Sequence, residues 1–180
     1  QSSSAGSANY PSHSMIGSDI YFDTSAINSK FADGSYAALT LIHEIGHALG
    51  LEHPFSYAQA GGGGASDPPY LAGAEDSTAW TVMSYEDSSA QYYLSLSPLD
   101  IAALQYIYGP SKNARVANDI YKVSSSAPNF IWDGAGTDTI DLSAVNQGVT
   151  VFLTPGYWGF VGSQQAATIT SSGQVTVNFG

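Results

Sequence analysis

Five residues of one short stretch carry most of the chemistry this chain can do. His43, Glu44, His47, Gly50 and His53 stand in the order His-Glu-x-x-His-x-x-Gly-x-x-His. Residues four apart share a face of a helix, so His43 and His47 can aim their imidazoles at one ion. Gly50 lets the backbone leave the helix through a positive φ, which swings His53 round as a third donor. Three neutral imidazoles suit Zn²⁺ and leave one coordination position open for water. Glu44 follows the first donor directly and so lies beside the ion without having to bind it. There it can take a proton from a water on the metal and return it to a leaving amine. The chemistry implied is hydrolysis of a peptide bond by an activated water, with no acyl-enzyme. Two histidines on an apolar helix face could equally be satisfied core residues. Gly50 and His53 in register decide for one catalytic zinc.

The elements that must hold these groups are readable in outline. Over residues 35–49, Ala38, Leu41, Ile42, Ile45, Ala48 and Leu49 recur at three and four, which predicts a helix with one buried apolar face. Gly50 stands where such a helix ends. Ser97 and Pro98 open a second helix carrying Leu99, Ile101, Leu104 and Ile107, and Gly109-Pro110 stops it. Before the first helix, residues 1–14 are Ser-rich, and a short strand is expected within 17–23 on the run Asp19-Ile20-Tyr21-Phe22. Between the helices, residues 54–79 read as an irregular stretch with a flexible Gly61 to Gly64 tract. From about Asn118 short β-rich runs follow at 120–123, 139–142, 149–153, 167–170 and 175–177. The reading is therefore α+β, with a domain boundary near residues 109–113. His13 is isolated in a polar segment and reads as a surface residue.

Composition narrows the classes. Four basic residues (Lys30, Lys112, Arg115, Lys122) stand against fifteen acidic ones, a net charge of −11. Nucleic-acid binding is argued against, because neutralising phosphates takes Lys and Arg. Acidity suits solubility, and it also suits Ca²⁺, which takes carboxylate and carbonyl oxygens. With no Cys, disulfides and thiol catalysis are excluded. No apolar run is long enough to span a bilayer.

The 43–53 stretch resembles the metzincin zinc proteases. Thr81-Val82-Met83-Ser84-Tyr85 resembles their Met-turn, in which Met83 would lie beneath the metal ligands as an apolar floor. Val-Met-Ser-Tyr with Glu75-Asp76 upstream, and the segment Pro98 to Gly109, resemble the serralysin group of secreted bacterial proteases. The resemblance implies that Tyr85 binds zinc or swings away to stabilise the oxyanion as a neutral donor; a buried structural tyrosine is the plainer alternative.

Further on, Asp133-Gly134-Ala135-Gly136-Thr137-Asp138-Thr139-Ile140-Asp141 is close to the GGxGxDxUx nonapeptide that binds Ca²⁺ in RTX β-rolls. Glycines there permit tight turns that aim carbonyls inward, and Asp138 supplies a carboxylate. The resemblance implies one or more structural Ca²⁺ ions held by Arg115, Ala117, Asp119, Asp133, Ala135, Gly136, Asp138, Thr176 and Asn178. Asn178 stands where the family has an acidic residue.

On this basis residues 1–110 are expected to be the C-terminal part of a metzincin catalytic domain, and 111–180 the start of an all-β calcium-binding β-roll. The N-terminal part of the catalytic domain and most of the roll would be absent. Residues 7–11 fall where the family's substrate-binding edge strand would lie. The implied function is that of an extracellular, bacterial, secreted zinc endopeptidase acting on protein or peptide substrates. The missing N-terminal segment would be a partner without which the chain folds poorly, and a proteinaceous inhibitor is a further candidate partner. The competing readings are a non-enzymatic Ca²⁺-stabilised β module and an inactive protease fragment.

Overall fold

A computed structural model describes residues 5–24, 30–32, 34–56, 68–86, 94–154, 157–166 and 173–177. Among the described residues the architecture is mixed α/β, with two α-helices and several small sheets. The chain divides into two compact units, 1–104 and 105–180.

In the first unit, strand β1 (Gly6–Ala8) pairs antiparallel with β2 (Ile20–Phe22), Ser7 opposite Tyr21. Helix α1 runs over Tyr36–Ala48. Ser35 caps it in extended conformation, its hydroxyl oxygen accepting from the Ala38 N–H at 3.1 Å. The helix ends in a Schellman motif. Leu51 N–H donates to Gly46 O at 2.9 Å, Gly50 N–H donates to His47 O at 2.9 Å, and Gly50 has φ 98°. The buried face of α1 differs from the apolar stripe. Ala37, Ala38, Thr40, Glu44, Gly46 and His47 are buried, Leu41, Ile42, Ile45 and Ala48 only partly so, and Leu49 is exposed. The helix turns the side that bears Glu44 and His47 inward because β1 and Met83 pack there. A Cβ on Gly6 would meet Glu44 Cγ at 2.9 Å, and one on Gly46 would meet Met83 Sδ at 2.5 Å. The core of this unit is Leu51, Val82 and Met83, with Leu39, Ile42, Leu96, Ala103 and Leu104 against it.

Helix α2 spans Pro98–Tyr108, and the boundary between the two units falls inside it. Proline at the first helical position is tolerated because its missing N–H would have no partner there.

In the second unit, β3 (Ile120–Lys122) and β5 (Thr139–Asp141) pair in parallel. A four-stranded sheet has the order β4 (Asn129–Ile131), β8 (Gln174–Val177), β7 (Trp158–Val161), β6 (Val149–Thr150). Its β4–β8 pair is parallel and the other two are antiparallel. The run at 167–170 and part of the long inter-helix loop (57–67) lie outside the described residues. Strands β4 and β7 were not foreseen: β4 opens at Asn129 and β7 contains Gly159, whereas β1 overlaps the 7–11 stretch that the family resemblance marks as an edge strand. Among the described residues no helix is long and apolar enough to cross a membrane.

Candidate metal centre

His43 and His47 project from successive turns of α1, and His53 returns from beyond the Gly50 bend. His53 Nε2 lies 3.1 Å from His43 Nε2 and 3.1 Å from His47 Nε2. Each helical ring is fixed through its other nitrogen. His43 Nδ1 pairs with Val82 O at 2.7 Å, and His47 Nδ1 with Leu51 O at 2.8 Å. A carbonyl only accepts, so both Nδ1 atoms carry the proton and both Nε2 atoms present lone pairs. Desolvation is the largest influence on both imidazoles. It lowers His47 and takes His43 down to about 4, so they stay neutral at ordinary pH.

This arrangement tests whether a cation fits. His53 Nε2 carries at most one proton and can satisfy at most one of the two facing lone pairs. The other contact is repulsive unless a cation sits between the rings. Tetrahedral zinc at about 2.0–2.1 Å from each nitrogen places neighbouring donors roughly 3.3 Å apart. The observed spacing is close to that, and the three-histidine group fits zinc.

Around this cluster, Phe55 stacks flat on His53 with centroids 5.1 Å apart and an interplanar angle of 7°. Tyr85 stands 4.6 Å from the His53 ring and 5.9 Å from the His43 ring, centroid to centroid. Burial, then the Glu44 carboxylate, raises the Tyr85 pKa, so the phenol keeps its proton. It is partly open to solvent, 59% exposed, which a buried structural tyrosine would not be.

Glu44 is 6% exposed, and its Oε2 has no hydrogen-bond partner. Burial pushes its pKa up to about 7. A cavity of about 330 Å³ opens at this carboxylate, lined by Gly6, Tyr36, Leu39, Thr78, Ser84 and Tyr85 among others. Gly6 matters here because β1 passes so near Glu44 that only a glycine fits. An orphaned buried carboxylate oxygen at the mouth of a cavity is poised for a polar occupant such as water.

Met83 is 2% exposed and sits under α1 with its sulfur against Gly46. His13 is exposed.

In the second unit the turn residues gather a different donor set. Asp119, Asp133 and Asp138 bring one carboxylate oxygen each within 4.8 Å of one another. Asp138 Oδ1 also accepts from Asp119 N–H at 3.0 Å, and Asp133 Oδ1 from Ala135 N–H at 3.0 Å. Gly136 has φ 130°, and a Cβ there would lie 2.3 Å from Ala117 O, so glycine permits that carbonyl's approach. Arg115 takes a left-handed φ of 49° and lies over the Tyr121 ring. Thr176 is fully buried on β8, in the other sheet. Asn178 lies outside the described residues.

Several contributors were invisible to sequence reading: the Val82 and Leu51 carbonyls, the Phe55 stack and the Gly6 approach. Only the last had a signal, a glycine in a Ser-rich segment.

No protein-family model matches the chain. It is similar to a serralysin of Proteus mirabilis, 37% identical over 155 residues, which covers 73% of this chain and 31% of that protein. It is similar to serralysin B of Dickeya chrysanthemi, 34% identical over 178 residues, covering 86% and 37% respectively. A metalloprotease AprA of Pseudomonas entomophila is 34% identical over 164 residues, covering 76% and 33%. The chain thus spans about a third of the length of these curated relatives. Over the stretch it shares with them, this chain belongs with the serralysin-like metzincins.

Proposed function

We propose that this chain carries the catalytic centre of a zinc endopeptidase. The observation that carries the reading is that His53 Nε2 lies 3.1 Å from both His43 Nε2 and His47 Nε2, the latter two held deprotonated, beside a buried carboxylate whose Oε2 has no partner. His43, His47 and His53 hold the zinc, with Tyr85 as a further ligand that can swing away. When bound, zinc supplies Lewis acidity, activating a water and polarising the scissile carbonyl. Glu44 takes the attacking water's proton at Oε2 and delivers it to the leaving nitrogen. A carboxyl group held near neutrality by burial suits both halves of that transfer. Tyr85, protonated and beside the cluster, donates to the oxygen on which negative charge develops. Ala5 and Gly6 border the cavity at Glu44, so a substrate laid extended against β1 brings a peptide bond to the carboxylate.

Protein substrates and an extracellular setting are part of the same proposal, supported by the likeness to proteins named serralysin and metalloprotease. Elemental analysis of the purified protein should return one zinc per chain. Casein hydrolysis should stop on chelation and resume on adding Zn²⁺. A protein that binds no zinc, or cuts casein equally well with the metal stripped, overturns the proposal.

The same reading takes residues 1–110 as part of a metzincin catalytic domain and 111–180 as the start of a calcium-binding β-roll. Asp119, Asp133 and Asp138 gather carboxylate oxygens of the kind Ca²⁺ takes, and carbonyls from Arg115, Ala117, Ala135 and Gly136 would add to them. Thr176 and Asn178 complete the proposed set. Calcium in excess should raise the melting temperature of the wild type, and Asp138→Ala should remove most of that rise. An equal calcium response in both proteins counts against these ligands.

A further inference from the structure

Asp100 is the most buried carboxylate among the described residues, 2% exposed, and it lies on α2, away from the three histidines in sequence. All its recorded bonds run to main-chain or hydroxyl donors. Oδ1 accepts from Thr81 Oγ1 at 2.5 Å. Oδ2 accepts from Val82 N–H at 2.9 Å and from Ser97 N–H at 2.8 Å. The Ser97 bond is half of a capping box, the third helical residue reaching back to the N-cap amide. A cap alone needs only that one. The other two bind the loop beneath the histidines. Thr81 Oγ1, while donating to Asp100, accepts from Met83 N–H at 3.1 Å. One carboxylate therefore fixes the main chain on both sides of Val82.

Val82 is also the residue whose carbonyl receives His43 Nδ1 at 2.7 Å. The path runs from Asp100 through the Val82 main chain to the imidazole and decides which nitrogen of His43 faces the cluster. We propose that Asp100 is a positioning residue for the metal centre: by locking the Thr81–Met83 main chain it holds Val82 O where it selects the His43 tautomer with a bare Nε2. This rests on the zinc reading above. Partners of ligating imidazoles change metal affinity by 10–100-fold when lost, and Asp100 acts one link further out.

The test compares Asp100→Asn, Thr81→Val and Thr81→Ser by competition for Zn²⁺ with a chelating dye, at a temperature where near-ultraviolet circular dichroism shows all of them folded. An amide at position 100 loses the carboxylate's charge and leaves one acceptor oxygen where there were two, and valine removes both bonds of the Thr81 hydroxyl. Both variants should bind zinc about tenfold more weakly, at the lower end of the outer-partner range. Thr81→Ser keeps the hydroxyl and should match the wild type. Ring ¹⁵N shifts of the zinc-free wild type should show His43 protonated at Nδ1 alone, and Thr81→Val should show a mixture of tautomers. Variants that melt earlier yet hold zinc as tightly as the wild type would make Asp100 a fold element only. A zinc-free wild type with His43 protonated at Nε2 overturns the proposal even if neither variant folds. A wild type that binds no zinc would instead sink the zinc reading itself.

Discussion

Replacing Glu44 with glutamine should leave zinc bound and lower kcat/KM for a peptide substrate by about 10²–10⁴-fold, the range that a positioned general base supplies. Glutamine keeps the size and the buried placement of the side chain but cannot accept a proton. Metal content measured beside activity separates this outcome from loss of the site. A variant with zinc intact and near-wild-type turnover would remove Glu44 from the mechanism.

The same substitution has a consequence for stability in the zinc-free protein. The folded-state pKa of Glu44, about 7, lies above its ordinary value of 4.5. The folded chain therefore holds a proton that the unfolded chain has released between those values. Stability from this group is complete below 4.5 and is lost as pH rises through 7. At pH 8 the wild type buries a charge that glutamine lacks, so Glu44→Gln should melt at a higher temperature. At pH 4 the two should converge. His43, displaced downward, works in the opposite sense, giving stability that is lost as pH falls from its ordinary 6.5 toward 4. It is present in both proteins and cancels in the comparison.

The second large effect is expected at His53. His53→Phe should weaken zinc binding by more than 100-fold, beyond what loss of an outer partner produces, and abolish hydrolysis with it. Phenylalanine retains a flat ring against Phe55, where the histidine now stacks at 5.1 Å. It removes both ring nitrogens, among them the Nε2 that faces the other two at 3.1 Å. Circular dichroism of the zinc-free variant beside the zinc-free wild type separates lost ligation from lost fold. Stoichiometric zinc at wild-type affinity in this variant would mean that the ion is held elsewhere.

What the sequence made readable was local. The helix bearing His43 and His47, its glycine exit and the return of His53 all follow from spacing within eleven residues. α2 was framed by Ser97-Pro98 at one end and Gly109 at the other, and both signals act within a turn. Its partner was hidden. Asp100 bonds to Thr81 across 19 positions, and nothing in either segment announces that pairing. The strands divide in the same way. β2, β3 and β5 carry β-branched or aromatic residues in alternation. β4 begins at Asn129, which reads as a turn former, yet its amide nitrogen reaches Gln174 O at 2.8 Å and ties β4 to β8. The buried side of α1 was misjudged because hydropathy follows the leucines and isoleucines, whereas space beside Gly6 and Gly46 decides which face is covered.

The chain's two methionines stand at opposite extremes of accessibility. Met15 is fully exposed and Met83 almost wholly enclosed. A thioether turned into a sulfoxide becomes polar and bulkier, and a sulfur wedged against the Gly46 backbone has no room for an added oxygen. Peroxide in the surroundings therefore spends itself on Met15, and the sulfur packed under α1 keeps its chemistry until the fold itself opens.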